Sequence, residues 1–120
     1  MELNGEAFGY CCVNVPEALV LRGKCKDRIP QLDKFTDGFN ACERLLYVNP
    51  PRTGLENEVS TWITSWYKPE RMAYLSCSAG TLSRDLKAIT SEGYVVEQIL
   101  PFDFFPYTIH VECLVLLSRG

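Results

Sequence analysis

Two side chains in the second half of the sequence are of the kind that performs covalent and proton chemistry: Cys77 in "SCSAGTL" and Glu112 in "HVECLVLLS". Cys77 ends an apolar run and precedes a helical pattern. The positive end of a helix dipole favours the thiolate, the form of cysteine that attacks carbon. A buried structural cysteine satisfies the same spacing. Glu112 is flanked by Val111, Cys113 and Leu114, apolar neighbours that suit a general base working near neutral pH. An edge-strand carboxylate facing water fits that pattern too. His110 stands two residues before it, readable as a structural, hydrogen-bonded imidazole or as part of the same site. A third group is Asn49-Pro50-Pro51-Arg52. Proline fixes φ and restricts the residue before it. The result is a stiff turn, able to hold an amide and a guanidinium toward a planar ligand.

Strands and helices must bring these groups together. "GEAFGYCCVN" (5–14) reads as a short helix ending near Pro16, "EALVLRG" (17–23) as a strand, and "KDRIPQLDKFTDGFNACE" as a loop with one helical turn. "RLLYVNPP" (44–51) is a buried strand stopped by two prolines. Leu55, Val59, Trp62, Ile63 and Trp66 recur at helical spacing before Pro69, which predicts an amphipathic helix with Trp62 and Trp66 in the core. "RMAYLSC" (71–77) is the next strand. Leu82, Leu86 and Ile89 then mark one face of a helix that Gly93 stops. "YVVEQILPF" and "HVECLVLLS" close the chain as two strands with no helix between them, so an antiparallel pair. Strands alternating with helices argue for an α/β sheet with parallel strands. Ligands of such sheets bind beyond the C-terminal strand ends. Asn49 and Cys77 both lie there if their strands are neighbours.

Composition narrows the partners. The 120 residues suit one domain, and 47% hydrophobic with 22% charged residues is ordinary globular usage. No apolar run is long enough to cross a bilayer, and "MELNGEAFGYCC" lacks the basic start of a secretory signal. The net charge of −3 makes a poor nucleic-acid binder unaided, because phosphate contacts are made by Lys and Arg. Cys11, Cys12, Cys25, Cys42, Cys77 and Cys113 form no C-x-x-C pair, so neither zinc nor an iron–sulfur cluster is expected. Reduced thiols in a cytoplasmic protein, mostly acting as small core hydrophobes, are the expectation. No Gly-rich dinucleotide loop, Walker loop or H-E-x-x-H is present.

Together, "LLYVNPPRTGL" and "YLSCSAGTLSRDLKAITSEGYVVEQILPFDFFPYTIHVECLVLLSR" resemble the C-terminal catalytic half of the RNA uracil-5-methyltransferase family. The likeness runs from about residue 44 to the end, with three motifs in order. It implies a Rossmann-like class I methyltransferase sheet of mixed α/β type, truncated so that the first strand and Gly-rich loop are absent. Residues 1–120 would then form a partial methyltransferase catalytic domain. It also implies S-adenosylmethionine as cofactor, and a uridine of rRNA or tRNA as substrate. "MELNGEAFGYCCVN" is similar to the end of the family's second strand and the helix after it. There Glu2 would hold the cofactor ribose.

Carried over onto this sequence, the resemblance implies that Cys77 is the nucleophile and Glu112 the base. A thiolate adds at C6 of uracil, C5 attacks the methyl donor, a base takes the C5 proton and the thiol leaves. Pro50, Arg52 and His110 would line the base, and Asn49 would face both uracil and cofactor. Asn49 stands where the family more often has Asp; an amide still donates and accepts hydrogen bonds. "FDFFPYT" would wall a flipped base. Without the first strand, 44–48 becomes a sheet edge, which implies closure by rearrangement, by exchange between chains or by a partner. RNA binding would need a further module. Two rival readings stay open: a non-catalytic binding or interaction module, and an amino-methyltransferase with an N-P-P motif, whose aromatic is here Arg52.

Overall fold

The computed structural model describes residues 1, 5–38, 40, 44–103 and 111–120. These fall into two compact units, Met1–Asp37 and Gly38–Gly120. The first holds helix α1 (Gly5–Asn14), a 3-10 turn (Cys25–Arg28) and helix α2 (Ile29–Thr36). The helix over 5–14 forms as its pattern predicts. Residues 17–23 do not form the expected strand: a turn closes from Ala18 N–H to the Val15 carbonyl at 3.1 Å, and only Arg22 makes an isolated bridge. Strand propensity expresses packing against paired neighbours, and among the described residues this short apolar run has no such ladder. Residues 25–36 are correspondingly more helical than the single turn expected.

The second unit is built on a sheet. Strand β1 (Leu45–Val48) is followed by helix α3 (Asn57–Thr61), which runs on into a π-helical segment (Trp62–Tyr67). Then come strand β2 (Arg71–Ser76), helix α4 (Ala79–Ser91) and strands β3 (Tyr94–Phe102) and β4 (Glu112–Arg119). The four strands lie in the order β1-β2-β4-β3. β1 and β2 are parallel, with Leu45 opposite Arg71 and Val48 opposite Tyr74. β4 runs antiparallel to both β2 and β3. The closing strands thus form the expected antiparallel pair, with β4 inserted beside β2. β1 takes one edge of the described sheet, where Leu45 and Tyr47 are exposed.

Strand alternation sorts the side chains between two faces. Met72, Tyr74, Ser76, Val115, Leu117 and Tyr94 are buried on the face toward α4. Arg71, Ala73, Leu75, Leu114 and Leu116 alternate onto the opposite face, half-buried or exposed. α4 contributes Leu82 and Ile89 to the core. It ends at Gly93, whose φ of 99° lies in the region that glycine enters without a Cβ penalty.

The helix before β2 departs from its sequence pattern. Lys68 N–H bonds to the Ile63 carbonyl at 2.9 Å, five residues back, and Lys68 itself is left-handed at φ 49° before Pro69. This wider turn stacks Tyr67 on Trp62, with ring centroids 4.9 Å apart and planes 3° from parallel. Tyr67 therefore takes the core place expected of Trp66, which is 72% exposed. Tyr67 also donates to the Leu45 carbonyl at 3.1 Å, and so ties the helix to β1.

Candidate functional site

Parallel pairing of β1 and β2 brings their C-terminal ends to the same edge of the sheet. Asn49 is the residue after Val48, and Cys77 the residue after Ser76. β4 begins at that edge. Its register with β2 runs through Leu75 opposite Leu114 and Ser76 opposite Cys113, and the next residues along the two strands are Cys77 and Glu112. By alternation both belong to the sheet face away from α4, and Asn49, in phase with Leu45 and Tyr47, belongs to the same face. Cys77 and Glu112 are each half-buried, and Asn49 is exposed. On its other side Glu112 pairs with Phe102 of β3.

The backbone around Cys77 is held by its neighbour. Ser76, buried, accepts the Ser78 N–H on Oγ at 3.1 Å and donates to the Ser78 carbonyl at 3.0 Å. A hydroxyl bonded two residues ahead fixes a local turn, and here the turn contains Cys77. Ser78 then opens α4, with Leu82 N–H on its carbonyl at 3.0 Å. The amide-rich, positive end of the α4 dipole thus starts directly after Cys77.

The Asn49–Arg52 loop is stiff by composition and pinned at its far end. Gly54 N–H closes a turn on the Pro51 carbonyl at 2.8 Å. Pro50 is half-buried, whereas Arg52 is exposed on the turn. Beyond it, Leu55 N–H donates to Asp85 Oδ2 at 2.8 Å, and Tyr74 OH donates to the same oxygen at 2.5 Å. Arg84 bonds Asp85 Oδ1 through Nε at 3.0 Å and Nη2 at 2.8 Å. The same Nη2 reaches the Thr53 carbonyl at 2.8 Å. Burial, then the hydrogen bond and charge of Asp85, push the Tyr74 phenol far above the usual tyrosine range; Arg84 opposes this, and Cys77 adds to it. Cys77 therefore lies within electrostatic reach of this network.

Sequence reasoning missed Asp85, Tyr74 and Ser76. One signal was available: Asp85 follows Leu82 by three residues and precedes Ile89 by four. That places a carboxylate on the apolar stripe of a helix, where it must find partners. Two expected site residues, His110 and Glu2, lie outside the described residues, as do Cys42 and residues 104–108 of the expected aromatic wall. The described cysteines, Cys11, Cys12, Cys25, Cys77 and Cys113, carry free thiols. None of these five is fully buried, so they are not the core hydrophobes expected; short side chains near strand and helix ends stay within reach of solvent. A depression of about 360 Å³ bounded by Thr64, Lys68, Glu92 and Arg119 lies at the other end of the sheet, where β4 finishes, and is no part of this site. Among the described residues no helix is long and apolar enough to cross a membrane.

The fold and the motifs meet in known proteins. The chain superposes on the crystal structure of M1.HpyAVI with a TM-score of 0.53 at 16% identity, over 77% of this chain and 51% of that one. On the M1.HpyAVI–SAM complex the TM-score is 0.51, over 77% and 50%. That likeness concerns the fold: a mixed α/β sheet of the class I methyltransferase kind. An RNA methyltransferase of Bacillus cereus is 45% identical over 74 residues, 62% of this chain and 16% of the relative. One of Thermotoga maritima is 44% identical over 86 residues, 72% and 19%. One of Listeria innocua is 38% identical over 96 residues, 80% and 20%. The chain thus spans about a fifth of the length of the curated relatives it matches. Residues 28–120 match the family described as tRNA (uracil-5-)-methyltransferase, and with most of its length inside that match, the chain belongs to this family.

Proposed function

We propose that this chain carries the catalytic half of an RNA (uracil-5-)-methyltransferase, acting on C5 of a uridine in tRNA or rRNA with S-adenosylmethionine as methyl donor. The observation that supports it most is the placement of Cys77 and Glu112 at adjoining ends of β2 and β4, on one sheet face, with Asn49 at the end of β1. Asn49 is exposed at a strand end, where ligands of α/β sheets bind, and its amide fits the polar edge of a cofactor or of uracil. Bound there, S-adenosylmethionine supplies an electrophilic methyl group.

Cys77 attacks C6 of the uracil as a thiolate, and the electron pair of the 5,6 double bond moves onto C5 and O4. Uracil C5, otherwise a weak nucleophile, becomes an enolate carbon. Once C5 carries the methyl group, Glu112 takes the C5 proton. The electrons of that C–H bond re-form the double bond and expel the Cys77 thiolate. Arg52, on the loop beside Asn49, offers a guanidinium to a phosphate or to the O4 of the base. With a net charge of −3, grip on RNA comes from a further basic module.

The test is mass spectrometry of the chain after incubation with S-adenosylmethionine and an RNA containing 5-fluorouridine. Fluorine at C5 cannot leave as a proton would, so a Cys77 adduct accumulates. The expected result is an RNA-linked protein that vanishes in Cys77→Ser. With uridine RNA, Glu112→Gln should retain a methylated adduct that the unaltered protein releases. Absence of any adduct, also when an RNA-binding module is supplied in trans, would leave the non-catalytic interaction reading.

A further inference from the structure

We infer that Asp85 is a positioning residue, the clasp that holds the Asn49–Arg52 loop in register with the strand end bearing Cys77. This rests on the function proposed above, in which both groups face one uracil. Asp85 is 5% exposed, and a buried carboxylate persists only where its acceptor oxygens are used. Its Oδ2 takes the amide of Leu55 and the phenol of Tyr74; its Oδ1 takes the Arg84 fork. These partners belong to different parts of the site. Tyr74 is in β2, three residues before Cys77. Leu55 ends the loop that begins at Asn49, and Arg84 extends the hold to the Thr53 carbonyl. The loop is therefore tied at both ends to β2, at Val48 through the β1 ladder and at 53–55 through Asp85. Between the ties, two prolines and the Pro51–Gly54 turn leave little freedom.

Reacting groups must be held to within about half an ångström, and misplacement by about 1 Å costs on the order of 10²-fold in rate. Releasing the clasp should therefore act on rate more than on RNA affinity, while the sheet stays intact.

The experiment combines hydrogen exchange with adduct kinetics in Asp85→Asn and Arg84→Lys. The first substitution keeps the side-chain shape but removes the charge that draws the Arg84 fork. The second keeps the positive charge, but an ammonium cannot fork to Asp85 and the Thr53 carbonyl together. Amides of Gly54 and Leu55 should lose protection by 10-fold or more in both variants, with β2 and β4 amides unchanged. Adduct formation with 5-fluorouridine RNA should slow by 10- to 100-fold at unchanged half-saturating RNA concentration. Unaltered protection at 54–55 would overturn the inference. So would loss of protection spread evenly over the sheet, or an adduct rate equal to that of the unaltered protein despite a loosened loop. Should Asp85→Asn fail to fold, Arg84→Lys alone decides. If the unaltered chain forms no adduct, the functional proposal fails, and the exchange data still decide whether Asp85 holds the loop.

Discussion

Ser76 brackets Cys77: its buried Oγ accepts the N–H of Ser78 and donates to the carbonyl of the same residue. One hydroxyl thus spans the backbone on both sides of the thiol. Ser76→Ala leaves the Ser78 amide without that acceptor. A lost hydrogen bond of this kind costs about 1–2 kcal/mol. Urea unfolding should show a destabilisation of that size, and the Ser78 amide should exchange faster than those of β2.

Gly54 stands at φ 79°, and a Cβ there would lie 2.5 Å from Arg84 Nη2 and 2.6 Å from Asp85 Oδ2. Gly54→Ala therefore meets both backbone strain and a pair that is not free to move aside. The strain alone costs about 1–3 kcal/mol. The urea midpoint should fall accordingly, and the Leu55–Asp85 hydrogen bond should be the first to loosen.

The two tryptophans should behave oppositely. Trp62→Ala removes a 5% exposed ring that stacks on Tyr67 and should cost about 3–5 kcal/mol. Trp66→Ser alters a side chain that is 72% exposed and should change stability by no more than about 0.5 kcal/mol. Thermal melts of the two variants separate the wide turn from an ordinary helix, in which Trp66 would point inward.

Alkaline pH should unfold the chain through its buried tyrosines. Burial raises the phenols of Tyr67, Tyr74 and Tyr94 above the usual 10.0. The folded state then keeps protons that the unfolded state gives up. The stabilisation is complete below about pH 10 and is lost as pH rises toward the folded values. Denaturant midpoints should decline above about pH 10, and Tyr74→Phe should flatten that decline.

Much of this architecture is legible in the sequence. Two prolines end β1, the apolar run 71–77 gives β2, and Leu82, Ile89 and Gly93 define α4. The placement of Cys77 and Asn49 at one sheet edge follows from reading their strands as parallel neighbours. Other features depend on partners remote in the chain. Asp85 is buried because Leu55, 30 residues away, and Tyr74, 11 away, turn toward it. The run 17–23 has strand composition but joins no ladder among the described residues. Trp66 points outward because one turn of its helix is wider than periodicity assumes, a choice made by the Trp62–Tyr67 stack and by Lys68.

β3 pairs with β4 in two registers, Val96 opposite Leu117 but Gln98 opposite Leu116, with Glu97 between them. The Glu97 carboxylate takes the Ser118 hydroxyl at 2.5 Å. This extra residue works as a frameshift written in three dimensions. Beyond it every side chain of β3 lies on the side opposite to the one strict alternation would assign, and Phe102, not Pro101, comes to sit beside Glu112. Were Glu97 drawn into the ladder, the same sequence would present a proline to that carboxylate; were Glu97 deleted, the aromatic would stay where it is. The neighbour of the proposed base is thus set by whether one residue is counted in the sheet or left out of it.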